Sequence, residues 1–363
     1  MNYMVRGAAL GDMNSILKNI YEQPAELKRV LDDLTGPKLD QLRDLARIMA
    51  LSGEIVLTSM GSAFYSLMPM YEELRERGYH SVTLEETGDL IRHPERMSRN
   101  ALYVLMSRSG ESREVADFAV WCRKHGFTTL SITMTPDSTM AANSTYMLHD
   151  ISSYDDIVCI KAYSTMALTG LLLVEMMDGR PHPSEELIDS LNRAFAWMEA
   201  HKEDILAQLE AIPFLGTPHG FYLISRSYGI NMMRSASLWL EETAKTPAGI
   251  MSIDNFYHGP MEIIRSHAIV KAVTCPVLFD VQPDARSAMI WGKVCQSVPE
   301  SLYFGPEGSE MPGGARFQIP DLGLSGGWSM IVAALYFQLL SYQVAVANGI
   351  EPGFFYDEGW IVL

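Results

Sequence analysis

Residues 101–116 read ALYVLMSRSGESREVA, and they join an apolar strand to a helix through a turn rich in hydroxyl groups. The run 101–106 has the length and composition of a buried strand. The turn itself is Ser107–Ser112, and we call it the serine turn. Beyond it, apolar residues recur at helical spacing, at Val115, Ala116, Phe118, Ala119 and Cys122.

The serine turn has the chemistry of an anion site. Backbone N–H groups are unpaired at a helix N-terminus, and the helix dipole favours negative charge there. Ser107, Ser109 and Ser112 would add hydroxyl donors, and Gly110 would let the backbone approach a ligand closely. A phosphate monoester is the natural ligand. The alternative, open on this pattern alone, is that Ser109 or Ser112 only caps the helix.

The composition is that of an acidic globular protein with two domains. The chain has 363 residues, which exceeds what one hydrophobic core usually supports. A net charge of −16 without a long Lys/Arg run argues against nucleic acid or an anionic membrane as a partner. The four cysteines form no CxxC pair and the nine histidines have no paired spacing. We therefore predict no disulfide framework, no metal site and no cofactor.

Neither a signal peptide nor a membrane span is expected. The first 17 residues, MNYMVRGAALGDMNSIL, lack a long apolar core before a small-residue cleavage site. No segment is expected to reach the roughly 20 apolar residues that cross a bilayer. The sequence therefore predicts a reducing cytoplasmic location.

The first half of the chain alternates strands and helices. Helices are predicted over 12–34, with Pro24 as a kink or restart, and over 39–49, 60–77 and 161–177. Predicted strands cover 54–59, 81–85, 101–106, 128–134 and 147–151. Short turns between alternating elements imply a parallel sheet covered on both faces.

The second half repeats this pattern. Strands are predicted over 220–225, 268–279, 301–305 and 316–322, and helices up to about 209, over 229–243 and over 327–348. LTSMGSAFYSLM (57–68) has a counterpart in LISRSYGINMMR (223–234), which indicates a duplicated unit. Where the first copy has the serine turn, the second has Asp280-Val281-Gln282-Pro283-Asp284, whose acids would repel phosphate. One half should bind the ligand and the other should supply something else.

A carboxylate and an imidazole in the second half are candidates for chemistry. Glu242 ends the predicted helix 229–243, and His258 opens a His-Gly-Pro-Met-Glu turn 16 residues later. Spacing alone leaves both open to an ordinary interpretation, a solvated Glu and a His that closes a turn. Glu241 is the rival to Glu242, because only one of two neighbouring helix positions can face a pocket.

Several motifs occur in one order along the chain and together resemble a known family. They are Ile20-Tyr21-Glu22-Gln23-Pro24, Met60-Gly61-Ser62, Ser107–Ser112, Lys161-Ala162-Tyr163-Ser164-Thr165, Leu240-Glu241-Glu242 and His258-Gly259-Pro260-Met261-Glu262. The chain resembles double sugar-isomerase (SIS) domain proteins that act on sugar phosphates. These include the isomerase part of glucosamine-6-phosphate synthase and its deaminase and deglycase relatives.

The resemblance implies a fold and domain boundaries. It implies an α/β protein of two tandem SIS domains, each a five-stranded parallel sheet flanked by helices, a flavodoxin-like three-layer αβα sandwich. The expected divisions are a helical segment at 1–36, a phosphosugar-binding SIS domain at 37–195, a catalytic SIS domain at 196–348 and a tail at 349–363.

The resemblance also implies residue roles in the first domain. Ser107, Ser109 and Ser112 match the phosphate-binding hydroxyl residues, and Arg108 matches the residue between them. Gly61 and Ser62 match the first turn, which touches the sugar. Cys159 falls where relatives often have a serine near the sugar.

In the second domain the resemblance implies the reacting groups. Glu242 matches the general base that moves a proton between C1 and C2, and His258 matches the histidine that assists ring opening. In relatives this histidine comes from the neighbouring subunit, which implies a homodimer whose sites each take His258 from the partner.

Two departures from the synthase favour a different reaction. The synthase has a lysine where this chain has Trp239, and another lysine in its tail, where this chain ends in FYDEGWIVL. No nucleophilic cysteine follows Met1, so ammonia-fed synthesis is not expected. The motif His-Gly-Pro-Met-Glu-Ile-Ile looks more like the deglycases that split 6-phosphorylated Amadori compounds into hexose 6-phosphate and amine.

Three alternatives to the deglycase stay open at this point. They are an amino-sugar-phosphate deaminase or aldose–ketose isomerase, a non-catalytic phosphosugar sensor, and a scaffold whose serines only cap helices. Trp239, Tyr154, Tyr356 and Trp360 would either shape a pocket for the amine or belong to the core.

Overall fold

A computed structural model describes residues 13–155, 157–265 and 274–355. By internal contacts the chain divides into two compact units. The front unit comprises Tyr21–Glu199 and Gly323–Ile331. The rear unit comprises residues 13–20, Ala200–Leu322 and Val332–Phe354. The sequence-predicted domain boundaries stay a prediction.

The front unit is built on a five-stranded parallel sheet. Its strands are β1 (Glu54–Ser59), β2 (Val82–Glu86), β3 (Ala101–Ser107), β4 (Thr128–Thr133) and β5 (Tyr146–His149), in the order β2-β1-β3-β4-β5. Every residue of β3 is buried, as expected for a central strand covered on both faces. Helices before and between the strands are α1 (Ser15–Thr35), α2 (Leu39–Leu51), α3 (Gly61–Ser66), α4 (Met68–Glu76), α5 (Thr87–Arg92), α6 (Arg113–His125) and α7 (Thr139–Asn143).

Two helices follow the front sheet. In α8 (Lys161–Met176) every residue is buried, which agrees with a sequence that is apolar around the whole helix. The next helix, α9 (Glu185–Glu210), is continuous over 26 residues.

The rear unit contains a second five-stranded parallel sheet. Its strands are β6 (Gly220–Ser225), β7 (Ala248–Ser252), β8 (Thr274–Phe279), β9 (Leu302–Pro306) and β10 (Ala315–Ile319), in the order β10-β9-β8-β6-β7. Its helices are α10 (Gly229–Ala244), α11 (Ile253–Tyr257), α12 (Glu262–Arg265) and α13 (Ala285–Ser297). The last helix, α14 (Gly326–Ala347), belongs to the front unit up to Ile331 and to the rear unit from Val332.

The two sheets have the same topology. The rear order, taken from its other edge, is β7-β6-β8-β9-β10, which matches β2-β1-β3-β4-β5 strand for strand. One contact is repeated as well. At the end of β1 the Ser59 hydroxyl donates to the Met106 carbonyl, and at the end of β6 the Ser225 hydroxyl donates to the Phe279 carbonyl at 2.6 Å. The predicted fold class, two tandem five-stranded α/β domains, is confirmed.

Some sequence predictions of single elements were wrong. The predicted helix 60–77 is split at Leu67 into α3 and α4, whereas α1 is one helix with Pro24 inside it, as predicted, and does not restart there. Strand β7 and helix α13 were missed. The β7 sequence, AGIMS, opens on two residues of low strand propensity and is only partly buried, so its pattern is weak. Part of the predicted strand 268–279 lies outside the described residues.

Helix α14 corrects the expectation about apolar length. Among the described residues it is long and apolar enough to cross a membrane, with 22 residues and a mean hydropathy of 1.7 in its best window. However, 83% of that window is buried inside the protein, as in the core helix of a soluble protein.

Candidate functional site

The serine turn forms at the carboxyl end of β3 and leads into α6. The buried Ser107 hydroxyl accepts the Gly110 N–H at 3.0 Å and lies 3.5 Å from the Ser112 hydroxyl. Ser112 occupies the N-cap position of α6, yet its side chain makes no capping hydrogen bond. The Ser109 hydroxyl accepts the Glu111 N–H at 3.1 Å, within the turn. The capping alternative therefore does not describe these two hydroxyl groups.

Gly110 is required by both the backbone and the packing. Its φ is +64°, in the left-handed region, and a Cβ built there would lie 2.0 Å from the Ser138 hydroxyl oxygen. The Gly110 carbonyl accepts the Met140 N–H at 3.0 Å. Ser138 caps α7 by accepting the Ala141 N–H at 3.3 Å. The loop after β4 thus packs on the serine turn. The sequence analysis missed Ser138, which the N-cap pattern Ser-Thr-Met-Ala-Ala could have revealed.

Arg108 joins the serine turn to the segment after β5. Its Nη1 donates to the carbonyls of Asp155 and Ile157, each at 3.3 Å. Its own carbonyl accepts the hydroxyls of Thr133 at 3.3 Å and Thr135 at 3.2 Å. The residue is therefore held by both its side chain and its main chain.

Two motifs from distant parts of the sequence meet in the front unit. Lys161 Nζ lies 2.6 Å from Glu22 Oε2, and the lysine side chain is 3% exposed. The Ser164 hydroxyl donates to Gln23 Oε1 at 2.7 Å, with both residues buried. These residues of the Ile20–Pro24 and Lys161–Thr165 motifs therefore bind each other and hold α1 against α8.

Gly61, Ser62 and Cys159 follow strands of the same sheet. Gly61 begins α3 with φ +55° and is exposed, and no atom lies within 4 Å of a Cβ built on it. Ser62 is half-buried, and its carbonyl accepts the Ser66 hydroxyl at 3.0 Å. Cys159 is half-buried, two residues before α8. Because carboxyl ends of parallel strands share one edge, these residues and the serine turn follow the edge where ligands bind in such folds.

The aromatic residues differ in exposure. Tyr154 is 46% exposed, its hydroxyl lies 2.8 Å from the Thr135 hydroxyl, and its ring centroid is 5.2 Å from the Arg108 guanidinium carbon. Trp239 is 1% exposed and belongs to the core of the rear unit. Tyr356 and Trp360 lie outside the described residues.

In the rear unit, Glu242 and its rival Glu241 lie in different environments. Glu242 is half-buried near the end of α10, whereas Glu241 is exposed. Lys245 ends the helix with φ +53°, and its Nζ donates to the Glu242 carbonyl. Burial lowers the pKa of Lys245, while the Glu242 charge acts in the opposite direction. The sequence analysis missed Lys245, because nothing in the pattern signals a left-handed lysine.

His258 lies on an exposed turn. It follows α11 directly, and its N–H donates to the Asn255 carbonyl at 3.1 Å. The preceding residue, Tyr257, is fixed by Lys293, whose Nζ lies 2.8 Å from the Tyr257 hydroxyl and 4.8 Å from the ring centroid.

The rear counterpart of the serine turn is filled by an ion pair. Arg226 donates to both carboxylate oxygens of Asp284, at 2.9 and 3.0 Å, and its Nη2 lies 3.3 Å from Asp280 Oδ2. Asp280 is fully buried. The hydrogen bonds from Arg226 hold the pKa of Asp284 well below its usual range. Arg226, which follows β6, is therefore already neutralised by the carboxylates of this turn.

No protein-family profile matches the chain, but individual proteins do. Glutamine–fructose-6-phosphate aminotransferase (isomerizing) of Staphylococcus aureus is 23% identical over 350 residues, covering 93% of this chain and 56% of that protein. The tagatose-6-phosphate ketose/aldose isomerase of Escherichia coli superposes with a TM-score of 0.76 at 17% identity, covering 99% of this chain and 100% of the other. Glucosamine-6-phosphate deaminase of Thermotoga maritima superposes at 0.73 with 19% identity, covering 93% and 95%.

The chain is thus similar in sequence to a sugar-phosphate aminotransferase that isomerises its substrate, and it shares the two-domain fold of solved sugar-phosphate isomerases and deaminases. The predicted resemblance to double-SIS sugar-phosphate proteins is thereby confirmed. The chain spans about half the length of the curated relatives that it matches. Within its described ranges, no group of three or more His, Cys, Asp or Glu side chains could hold a metal ion, and the absence of a cofactor stays a prediction.

Proposed function

We propose that this double-SIS protein is a phosphosugar-processing enzyme that cleaves a 6-phosphorylated Amadori compound to a hexose 6-phosphate and a free amine. In this proposal the serine turn and Arg108 bind the phosphate, and Gly61, Ser62 and Cys159 contact the sugar. Glu242 is the general base, and His258 assists ring opening.

The observation that carries the proposal is the geometry of the serine turn. The Ser112 hydroxyl stands at the N-terminus of the 13-residue helix α6 without capping it, beside the Ser107 hydroxyl at 3.5 Å. Hydroxyl groups and first-turn N–H groups that converge at a helix N-terminus suit a phosphate. Binding at the phosphate would hold C1 and C2 of the sugar in place for proton transfer.

The proposed chemistry needs one base and one group that exchanges a proton near neutral pH. Ring opening moves a proton from the hydroxyl on C2 to the ring oxygen and exposes the C2 carbonyl. An imidazole such as His258 can exchange that proton. Glu242 then takes a proton from C1 while the C2 oxygen gains one from solvent, which gives a 1,2-enaminol. Protonation at C2 leaves an imine at C1, and water cleaves it to the aldose phosphate and the amine. The half-buried position of Glu242 supports this role, because partial desolvation favours a base that works near pH 7.

The proposal includes a homodimer in the cytoplasm and needs no cofactor. The exposed position of His258 supports a role in which it completes the site of a neighbouring subunit. The partner ligand is a small sugar phosphate.

A second candidate shares the same site. The structural likeness to the deaminase of Thermotoga maritima and to the isomerase of Escherichia coli favours an amino-sugar-6-phosphate deaminase or isomerase. Both reactions also begin with proton transfer between C1 and C2. A protein that only binds phosphosugars is the third outcome of the test below.

Product analysis tests the proposal. The protein is incubated separately with fructoselysine 6-phosphate and with glucosamine 6-phosphate. We expect free lysine from the first substrate and no ammonia from the second. Ammonia from glucosamine 6-phosphate alone would replace the deglycase by the deaminase. Binding of both without turnover would leave a phosphosugar-binding protein.

A further inference from the structure

Asp155, which the sequence analysis did not single out, is buried between the serine turn and α8. It is 1% exposed. Its carboxylate accepts the N–H groups of Ile160 at 3.0 Å, Lys161 at 3.2 Å and Ala162 at 2.9 Å. A carboxylate in this position satisfies donors that the start of a helix leaves unpaired, and it complements the positive end of the helix dipole.

The main chain of Asp155 makes a contact on its other side. Its carbonyl accepts a hydrogen bond from Arg108 Nη1 at 3.3 Å, and the same nitrogen reaches the Ile157 carbonyl at 3.3 Å. The carboxylate therefore fixes the backbone whose carbonyls hold the Arg108 guanidinium. One residue is bonded to α8 by its side chain and to the serine turn by its main chain.

The other end of Arg108 is fixed independently. Its carbonyl accepts the hydroxyl of Thr133, which ends the neighbouring strand β4, and the hydroxyl of Thr135, which follows that strand. The turn then continues to Gly110, which packs so closely on Ser138 that a Cβ there would lie 2.0 Å from the Ser138 hydroxyl oxygen. Because Arg108 is the residue of the turn that contacts the Asp155 carbonyl, a shift of that carbonyl would act on the turn through Arg108.

We propose that Asp155 is a positioning residue of the phosphate site: it anchors the segment before α8 and acts through Arg108 to hold the serine turn in its binding geometry. The proposal rests on the proposed function only in assigning phosphate to the serine turn. It adds Asp155, which is not part of the family motifs, and the contact through which Asp155 acts on Arg108.

A capping role alone predicts a different result. If Asp155 only caps α8, its loss lowers the stability of the front unit and leaves phosphate affinity unchanged. If it acts through Arg108, its effect on phosphate affinity disappears once Arg108 has been removed. A double-mutant cycle separates these two cases.

The experiment measures the dissociation constant of inorganic phosphate and of glucosamine 6-phosphate by titration calorimetry. The proteins are wild type, Asp155→Asn, Arg108→Ala and the double variant. Asp117→Asn is the matched control, because it removes one carboxylate charge from an exposed position on α6. We expect each of the first two variants to weaken binding about tenfold and the double variant to be no weaker than Arg108→Ala. The control should bind as wild type does.

Three results would overturn parts of this account, and they are distinguishable. The positioning role would be wrong if Asp155→Asn bound phosphate as tightly as the wild type does, or if the double variant bound it about a hundredfold more weakly than the wild type. Either result would leave the proposed function intact. A wild-type protein that binds neither ligand would end the proposed function and this inference together. If Asp155→Asn does not fold, Asp155→Ser takes its place in the cycle, since a serine hydroxyl can still cap α8.

Discussion

The turn after β3 in the front unit and the turn after β8 in the rear unit occupy the same topological position and have opposite chemistry. In the front unit, hydroxyl groups and a left-handed glycine lie at the start of α6. In the rear unit, Asp280 and Asp284 surround Arg226 at the start of α13. The first turn offers donors to an anion, and the second supplies its own anions.

The shared features explain how the two turns could diverge without loss of the fold. Each sheet keeps the same strand order and a serine that bonds to the neighbouring strand, Ser59 in one and Ser225 in the other. The turn residues are outside this framework, so they can change chemistry at little cost to the fold. The comparison shows that a shared fold does not by itself give both units a turn that can bind an anion.

The largest effect is expected when the rear unit loses its proposed base. Glu242→Gln should lower kcat about 10²- to 10⁴-fold, the usual range for loss of a general base, with phosphate affinity unchanged. Glu241→Gln is the matched control, since Glu241 is exposed and next to it. Steady-state kinetics on the substrate found by product analysis provides the measurement. Equal losses in the two variants would contradict the assignment of Glu242.

A slightly smaller effect is expected from Gly110→Ala. The new Cβ would meet the Ser138 hydroxyl at 2.0 Å and force a residue with a side chain into φ +64°. The left-handed backbone alone costs about 1–2 kcal/mol. We expect both the stability of the protein and its phosphate affinity to fall. Urea unfolding measures the first and phosphate titration the second.

Gly126→Ala is the control for that substitution. Gly126 ends α6 with φ +72°, and the nearest atom to its Cβ would be at 3.7 Å, so it has the strain without the clash. We expect it to lower stability while phosphate affinity stays at the wild-type value. If Gly126→Ala weakened phosphate binding as much as Gly110→Ala, the loss would be global and not a property of the serine turn.

Ser112→Ala distinguishes binding from capping. Because the Ser112 side chain makes no capping bond, its removal should change the free energy of unfolding by less than the ~1 kcal/mol typical of a lost cap. Phosphate affinity should fall about tenfold, as expected for one lost hydrogen bond to a charged group. A stability loss without an affinity loss would restore the capping interpretation.

The smallest effect is expected in the rear turn. Asp284→Asn weakens the pair with Arg226 and should cost at most about 1 kcal/mol, because Asp284 is largely exposed. Since the pKa of Asp284 is lowered in the folded protein, the pair stabilises above about pH 4 and is lost as the pH falls below that value. Thermal unfolding of both proteins from pH 7 to pH 3 should show the difference shrinking. A difference in stability between the two proteins that grows toward pH 3 would contradict this expectation.

The sequence predicted most of the fold because the buried strands carry unbroken apolar runs. The bounds of β1 and β6 were predicted correctly from EIVLTS and GFYLIS. Strand β7 was missed because it begins with Ala248 and Gly249, which give no strand pattern. The strand is defined by its pairing with β6 and not by burial. Such pairing is a tertiary effect that a local pattern does not contain.

The site was predictable only in part. The serine turn could be found because its residues are contiguous and its glycine is required locally. Asp155 acts through a contact with Arg108, 47 residues earlier, and Lys245 through an unusual φ, and neither has a local sequence that signals it. Ser138 has a local N-cap pattern, but its contact with Gly110 is a tertiary one. The Arg226 pair was missed for the same reason: the acids were visible in the sequence, but the arginine that neutralises them lies more than 50 residues earlier.

A crystal structure with a bound sugar phosphate would test the contrast between the two turns most directly. The account predicts phosphate oxygens within hydrogen-bonding distance of the Ser109 and Ser112 hydroxyls in the front unit, with the Arg226–Asp284 pair intact in the rear unit. Phosphate beside Arg226, with Asp284 displaced and the serine turn empty, would contradict it.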